Sequence, residues 1–433
     1  MNSLVLPSHR VAAAAPVSPP IENQMGEHQM GEVPLGLLAR RLEARALHQL
    51  PWPVRMRKIL GIRLLDALRI AWYAPRLAPR LRAEAGIPIL RQMADLLRLA
   101  FGKGIDPSIY YLAELYKPGA LKAVDQYFLR REVKGKLLRH LHRLQPPAAE
   151  RRINLGDKLQ FLAWCARTGL SHAAPVMLIE DGRVVWQSAN LLDLDQDLFA
   201  KPRVGRGARG VQLYRRISAF RYEAEDGRRL TLGGIVTDLI RRFDVGNVMV
   251  LPRLHNHPEL EGLAGRSLIT VRAVTCLNER EQPELVLAYL RVLAKLEPDW
   301  PVKKPVSEYA AAIDLETGRL SEMTGDQPEC LSAWHDRHPV TGVPVQGRIV
   351  PCWPALAALA ERAHRVTRDR VLVGWDIAIT PAGPLLLEGN SYPDVHYPQR
   401  IYRRPYGAMR VGALLRHHMA RLERKWAEEE RAA

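Results

Sequence analysis

The sequence predicts an α+β protein of two or three subdomains, preceded by a basic helical N-terminal region. Three observations carry that expectation. Apolar residues recur at helical spacing from about residue 36 to 147, with arginine filling the other faces. From about residue 153, short apolar runs alternate with Gly, Asp and Pro turns, as strands do. Near the C-terminus lies an apolar hairpin, VGWDIAITPAGPLLLEGN, from Val373 to Asn390.

Residues 1–35 are rich in Pro, Ala, Gly and polar side chains and lack periodicity, which reads as disorder; QMGEHQMGE is a small local duplication. The helical region spans 36–147, where Leu37, Leu38, Leu42 and Ala46, and then Leu90, Met93, Leu96, Leu97 and Ala100, mark apolar faces. Pro51, Pro53, Pro75, Pro79 and Pro88 are expected to break it into short helices. These helices read as a bundle capping the next domain, with an anionic membrane surface as the alternative partner. Pro146-Pro147 marks the boundary with a domain over 148–410.

Within that domain, Asp157 to Cys165 reads as a helix. Pro175 to Ile179 and Arg183 to Gln187 read as strands around an Asp181-Gly182 turn, and Leu198 to Pro202 and Val211 to Ile217 as strands around a glycine-rich loop. Val248 to Leu251, Leu268 to Cys276 and Ala310 to Asp314 are further strands. Glu284 to Leu296 fits either a helix or a buried strand. Pro354 to Val366 is a helix leading into the hairpin, and a last helix occupies 411–433.

If Pro381, Ala382 and Gly383 form the hairpin loop, Thr380 faces Pro384, Ala378 faces Leu386 and Asp376 faces Glu388. Asn390, two residues on, points to the same face. Like charges directly opposite each other repel. A hard divalent cation would relieve that repulsion, and Mg²⁺ takes one or two carboxylates together with substrate phosphates.

The chain has 433 residues and a formal net charge of +17. Most of the excess lies in residues 40–145, with 22 Lys+Arg against 8 Asp+Glu. Such a field favours anionic partners. Nucleic acid ranks last among them, because no basic strand carries interleaved aromatics for base stacking. Cys165, Cys276, Cys330 and Cys352 are far apart, which fits no zinc site or disulfide framework and points to a reducing cytoplasm. No apolar run reaches the roughly 18 residues of a membrane span, and His9, Arg10 and Pro16 interrupt any signal-peptide core.

AKPRVGRGARGV (Ala200 to Val211) matches G-x-G-x-x-G literally at Gly205, Gly207 and Gly210. The dinucleotide fingerprint needs a helix next, whereas VQLYRRIS alternates like a strand. A glycine loop between two strands instead lets backbone N–H groups close over phosphates. Lys201 ends the first strand, where it can meet a phosphate.

In this order, Asp157-Lys158, Lys201-Pro202 before the glycine hairpin, a middle strand and hinge, and Asp376…Glu388-x-Asn390 resemble the ATP-grasp superfamily. The chain resembles more narrowly its sugar-transfer-associated, alpha-L-glutamate ligase-related members. The matching stretches are GIDPSIYY (Gly104 to Tyr111), LHNHPEL (Leu254 to Leu260), SLITVR (Ser267 to Arg272), HPVTG (His338 to Gly342), RIVPCW (Arg348 to Trp353) and GWDIAIT (Gly374 to Thr380). The resemblance implies two α+β subdomains clasping ATP. Lys158, Lys201 and the loop glycines would bind phosphates, and the hinge around Leu251, Arg253 and Leu254 would lie against adenine. Asp376, Glu388 and Asn390 would hold Mg²⁺. Leu251 departs from the Gln or Glu usual in the family near that position.

The resemblance further implies a carboxylate–amine ligase that phosphorylates an acid and lets an amine attack the acyl phosphate, in polysaccharide or glycoconjugate modification. A small-molecule or sugar kinase on the same fold, or a nucleotide-binding scaffold at a membrane glycosyltransferase complex, is the alternative. Arg272 is a candidate stabiliser of the transferring phosphoryl group or, equally, a structural ion-pair partner. His338, Thr341 and Gln399 are candidate acceptor-site residues. The expected location is cytoplasmic, with the inner membrane surface as a candidate partner of residues 36–147.

Overall fold

The computed structural model describes residues 33–134, 137–145, 153–188, 195–203, 211–242, 247–265, 267–293 and 308–432. Residues 1–32, Pro146-Pro147 and the three loop glycines, Gly205, Gly207 and Gly210, lie outside the described residues.

The N-terminal region folds as α1 (Leu35–His48), α2 (Trp52–Ala85), α3 (Ile89–Leu97), α4 (Ser108–Leu112), α5 (Arg130–Lys134) and α6 (Leu137–His142). Pro51 and Pro88 sit at the N-caps of α2 and α3, as expected of helix punctuation. Pro75 and Pro79 do not break the chain. Both lie inside α2, which runs unbroken for 34 residues. An interior proline costs roughly 3 kcal/mol where the helix must keep its hydrogen bonds and its carbonyls are buried. Here Ala71, Pro75 and Pro79 all lie on the exposed side of the helix. The opposite face buries Ile70, Ala74, Leu77 and Leu81 against Leu96, Leu99, Ile105 and Tyr110. At about 1.5–3 kcal/mol per large apolar side chain, that packing outweighs the two lost bonds. Gly86, at φ +69°, ends the helix and donates its N–H to the Arg82 carbonyl.

Among the described residues, two antiparallel sheets follow. Helix α7 (Lys158–Arg167) enters first, capped by the Asp157 carboxylate, which accepts from the Leu159 and Gln160 N–H groups. The first sheet holds β1 (Met177–Glu180), β2 (Arg183–Gln187), β3 (Leu198–Pro202), β4 (Gln212–Ser218), β5 (Arg221–Ala224), β6 (Arg229–Thr231) and β7 (Val248–Pro252) in the order β2-β1-β7-β3-β4-β5-β6. Helix α8 (Leu232–Arg242) covers it through Ile235 and Leu239.

The second sheet holds β8 (Thr270–Leu277), β9 (Pro283–Leu293), β10 (Glu308–Ile313), β11 (Leu320–Gly325), β12 (Leu372–Thr380) and β13 (Gly383–Asn390) in the order β11-β10-β9-β8-β12-β13. Helix α9 (Trp353–Thr367) packs on one face. The other face meets α11 (Arg410–Ala432), preceded by α10 (His396–Ile401), together with α1 and α6. The stretch whose periodicity fits helix or strand is β9. Ala288, Leu290 and Val292 point to the α9 core and Leu287 and Tyr289 to the α11 core. With both faces buried, the alternation that marks a strand is absent.

The β12–β13 turn is one residue shorter than expected. Gly383, at φ +106°, joins β13, so Thr380 pairs with Gly383 and Ala378 with Leu385. A bulge between Asp376 and Ile377 then restores the pairing of Asp376 with Glu388 and sets Gly374 opposite Asn390.

Replacing both helix prolines (Pro75→Ala, Pro79→Ala) restores two N–H donors on an exposed face. The midpoint of urea unfolding is expected to rise, with a gain of about 1 kcal/mol or more and an unchanged slope. A lower midpoint would show that the proline bend is needed for packing.

Candidate functional site

The sheet builds its polar centre from cross-strand pairs. Glu388 on β13 faces Asp376 on β12, Asp376 faces Arg272 on β8, and Arg272 faces Tyr289 on β9. Antiparallel register alone therefore lays these four side chains in a row across four strands. Arg272 grips the Asp376 carboxylate at two points: Nη2 donates to Oδ2 at 2.9 Å and Nε donates to Oδ1. Arg291, two residues beyond Tyr289, donates from Nη1 to Asp376 Oδ1 at 3.3 Å and from Nη2 to Glu308 Oε2 at 2.6 Å. Burial would raise the Asp376 pKa, but the two guanidinium groups overcome it and hold the carboxyl well below its usual range.

Glu388 behaves oppositely. Burial, reinforced by the negative charge of Asp376, pushes its carboxyl up to about 7. The two carboxylates are thus unequal: Asp376 is held ionised, and Glu388 is biased toward its protonated form.

The first sheet supplies positive charge. Lys201, on β3 opposite Met249, has its ammonium pushed down to about 8 by burial; Glu388 opposes that shift and Lys158 adds to it. Lys158 also acts on Glu388, so the two lysines and the carboxylate share one electrostatic neighbourhood. Lys158 is the first residue of α7, and a clamp fixes that helix start. Arg203 donates from Nη2 to Asp157 Oδ2 at 2.9 Å and from Nη1 to Glu180 at 2.6 Å, while its carbonyl accepts from the Lys158 N–H at 3.4 Å.

The residues suit a divalent cation chemically. Asp376, Glu388 and Asn390 offer hard oxygen donors on adjacent strands. The Asn390 amide nitrogen is buried without a hydrogen-bond partner, and the two ends of an amide exchange by a simple flip. An oxygen turned that way would find its partner in a metal. Among the described residues no group of three or more His, Cys, Asp or Glu could hold a metal ion; this set offers two carboxylates and an amide.

The other expected residues lie as follows. Leu251 is buried in the apolar core on β7, its backbone paired with Phe199. Arg253 donates to Asp197 Oδ2 at 2.9 Å, and Leu254 is partly buried against the same core. His338 is fully buried. Its Nδ1 accepts from the Val340 and Thr341 N–H groups, and burial beside His335 lowers its pKa, so the ring is a neutral organiser of its loop. Thr341 Oγ1 accepts from the Val343 N–H at 3.4 Å. Gln399 is fully buried, and its amide is saturated: Oε1 accepts from Phe128 and Tyr406, and Nε2 donates to the Phe128 and Val395 carbonyls. It ties the N-terminal region to α10 and has no capacity left for an acceptor. No pattern in the sequence marks Arg291, Glu308 or Arg203 as site residues. Reading β9 as a strand would have put Arg291 on the face of Tyr289.

The model of the sugar-transfer associated ATP-grasp family matches residues 141–404. Among solved structures, D-alanyl-alanine synthetase A from Vibrio cholerae is similar at 10% identity and TM-score 0.35, over 62% of this chain and 65% of that one. D-alanine–D-alanine ligase from Bacillus anthracis, complexed with ATP, is similar at 11% identity and TM-score 0.37, over 64% and 68%. The ATP-grasp ligase PsnB, complexed with minimal precursor, is similar at 15% identity and TM-score 0.34, over 62% and 60%. No curated protein matches the chain.

Two outcomes follow from this geometry. Glu388 favours its neutral form in the fold, so its contribution to stability is complete below the ordinary carboxylate range and is lost as pH rises through about 7. Glu388→Gln should therefore melt progressively higher relative to the parent between pH 5.5 and 8 in chelator, by a few degrees. A constant difference in melting temperature would contradict the shift. Gln399→Leu leaves the Phe128 and Tyr406 N–H groups unpaired and should cost about 2–4 kcal/mol in urea unfolding; a change within error would contradict the bracing role.

Proposed function

Because this chain belongs to the sugar-transfer associated ATP-grasp family, we propose that it is a Mg²⁺- and ATP-dependent carboxylate–amine ligase. The observation that carries the reading is the unequal pair Asp376–Glu388, flanked by Asn390 and within electrostatic reach of Lys158 and Lys201. A half-buried carboxyl biased toward its neutral form gains from a cation, and a half-buried ammonium with a lowered pKa gains from an anion. A metal–polyphosphate ligand supplies both at once.

In this reading the acceptor carboxylate oxygen attacks the terminal phosphorus of ATP. The bond to the ADP oxygen breaks, giving an acyl phosphate. An amine then attacks the acyl carbon, phosphate leaves, and the nitrogen loses a proton as the amide forms. Lys201 and Lys158 hold the phosphates, so the protein acts by positioning and charge neutralisation. Mg²⁺ bound at Asp376, Glu388 and Asn390 would supply the remaining neutralisation of phosphate oxygens. Arg272 and Arg291 keep Asp376 ionised and oriented. Leu251 to Leu254 would lie against adenine. The family's sugar-transfer association supports a substrate in polysaccharide or glycoconjugate modification, and the basic helices of residues 36–147 support a place in the cytoplasm at the inner membrane face.

The test is release of ADP and free phosphate from ATP, screened over paired acids and amines. Release is expected only when both are present; phosphate retained on the acceptor would instead make the protein a kinase. Glu388→Gln is the probe of choice and should reduce turnover by about 10²-fold or more. Asp376→Asn would also leave the buried Arg272 without its counter-charge and weaken the pairing of Arg291, which keeps Glu308, a loss of about 3–5 kcal/mol. Calorimetry offers a second check: Mg²⁺-ATP binding should weaken as pH falls below about 7, where Glu388 takes up a proton.

A further inference from the structure

Helix α2 has two apolar faces, and the fold uses one. Ile70, Ala74, Leu77 and Leu81 are buried in the N-terminal core. On another side, Leu60, Leu64, Leu68 and Trp72 recur every four residues and are 63%, 63%, 58% and 56% exposed. Residues four apart stack on one face of a helix, so these four form a continuous ridge about 18 Å long at 1.5 Å per residue. The ridge leads into a groove of about 320 Å³ lined by Ala71, Ala74, Pro75, Pro79, Ile89 and Met93. Large contiguous apolar surface at this density marks a docking site.

The charges around the ridge select the partner. Arg57, Lys58 and Arg76 are exposed beside it, and the Arg76 guanidinium lies 3.7 Å over the Trp72 ring. Between residues 51 and 83 Asp66 is the sole acid in the sequence, and it is buried in an ion pair with Arg131. The surface is therefore apolar and basic, and the one exposed carboxylate of α2, Glu84, lies at its far end paired with Arg80. Two copies packed ridge to ridge would bring these cations together. A bilayer with anionic headgroups matches both properties: acyl chains for the leucines, the interfacial zone for Trp72, phosphates for the basic side chains. No helix among the described residues is long and apolar enough to cross a membrane, so the fit is to lying on the surface.

We infer that the Leu60–Leu64–Leu68–Trp72 ridge of α2 docks the protein on an anionic lipid surface. This rests on the proposed location at the membrane face and is independent of the ligase reading. It brings any lipid-borne or membrane-delivered substrate to the protein without a spanning segment.

The test is flotation of the full-length protein with vesicles of equal parts phosphatidylglycerol and phosphatidylcholine, beside vesicles of phosphatidylcholine alone, without nucleotide. The protein should float with the anionic vesicles only, and less so as salt rises. Leu64→Glu with Leu68→Glu should lower the bound fraction at least about tenfold while leaving thermal melting and ATP turnover unchanged, since both positions are exposed. Arg57→Glu with Lys58→Glu should weaken binding and its salt dependence together. Glu388→Gln should bind as the parent does, so loss of turnover and loss of docking are read separately. Failure to bind anionic vesicles, binding indifferent to the leucine substitutions, or a soluble dimer that those substitutions dissociate would each overturn the inference.

Discussion

The buried carboxylate of Asp376, held between Arg272 and Arg291, is the interaction on which the candidate site depends. A charge in a sheet interior survives only when paired and hydrogen-bonded. Two guanidinium groups, themselves anchored by β8 and by Glu308 on β10, meet that requirement. Strands β8, β9, β10 and β12 are thereby locked in one register by polar contacts as well as by their apolar faces. A one-residue slip would move every partner to the opposite side of the sheet.

With Asp376 fixed as an anion, its neighbour cannot ionise freely. Glu388 is driven up by burial and by that charge, while Lys201 across the gap is driven down by burial. Each group sits away from its relaxed protonation state in opposite senses. In the proposed reading, a ligand carrying both charges would relieve both shifts. The cost falls on local stability, as is usual where pKa values are tuned for function.

The N-terminal helices serve two ends. α1 and α6 complete the core under α11, so the second sheet is buried on both sides. Gln399 stitches that junction through four backbone bonds. α2 is held by one face only, and its length comes from packing that overrides two prolines. The rest of its apolar surface stays available outside the fold.

The sequence by itself determined the α+β class, the family, the basic helical preface and the facing of Asp376 with Glu388. These follow from short-range rules: side-chain alternation, turn residues, caps such as Asp157, and motif order. The facing held although the turn was read one residue too long, because a bulge compensated. Tertiary structure alone decided the rest. It committed Arg272 to Asp376, brought Arg291 and Glu308 beside them, turned His338 and Gln399 inward, and made β9 a strand. Those outcomes depend on which strands pair and which faces are covered. Residues 85 and 104 positions apart met at Asp376 through sheet order, and no local period in the chain records that order.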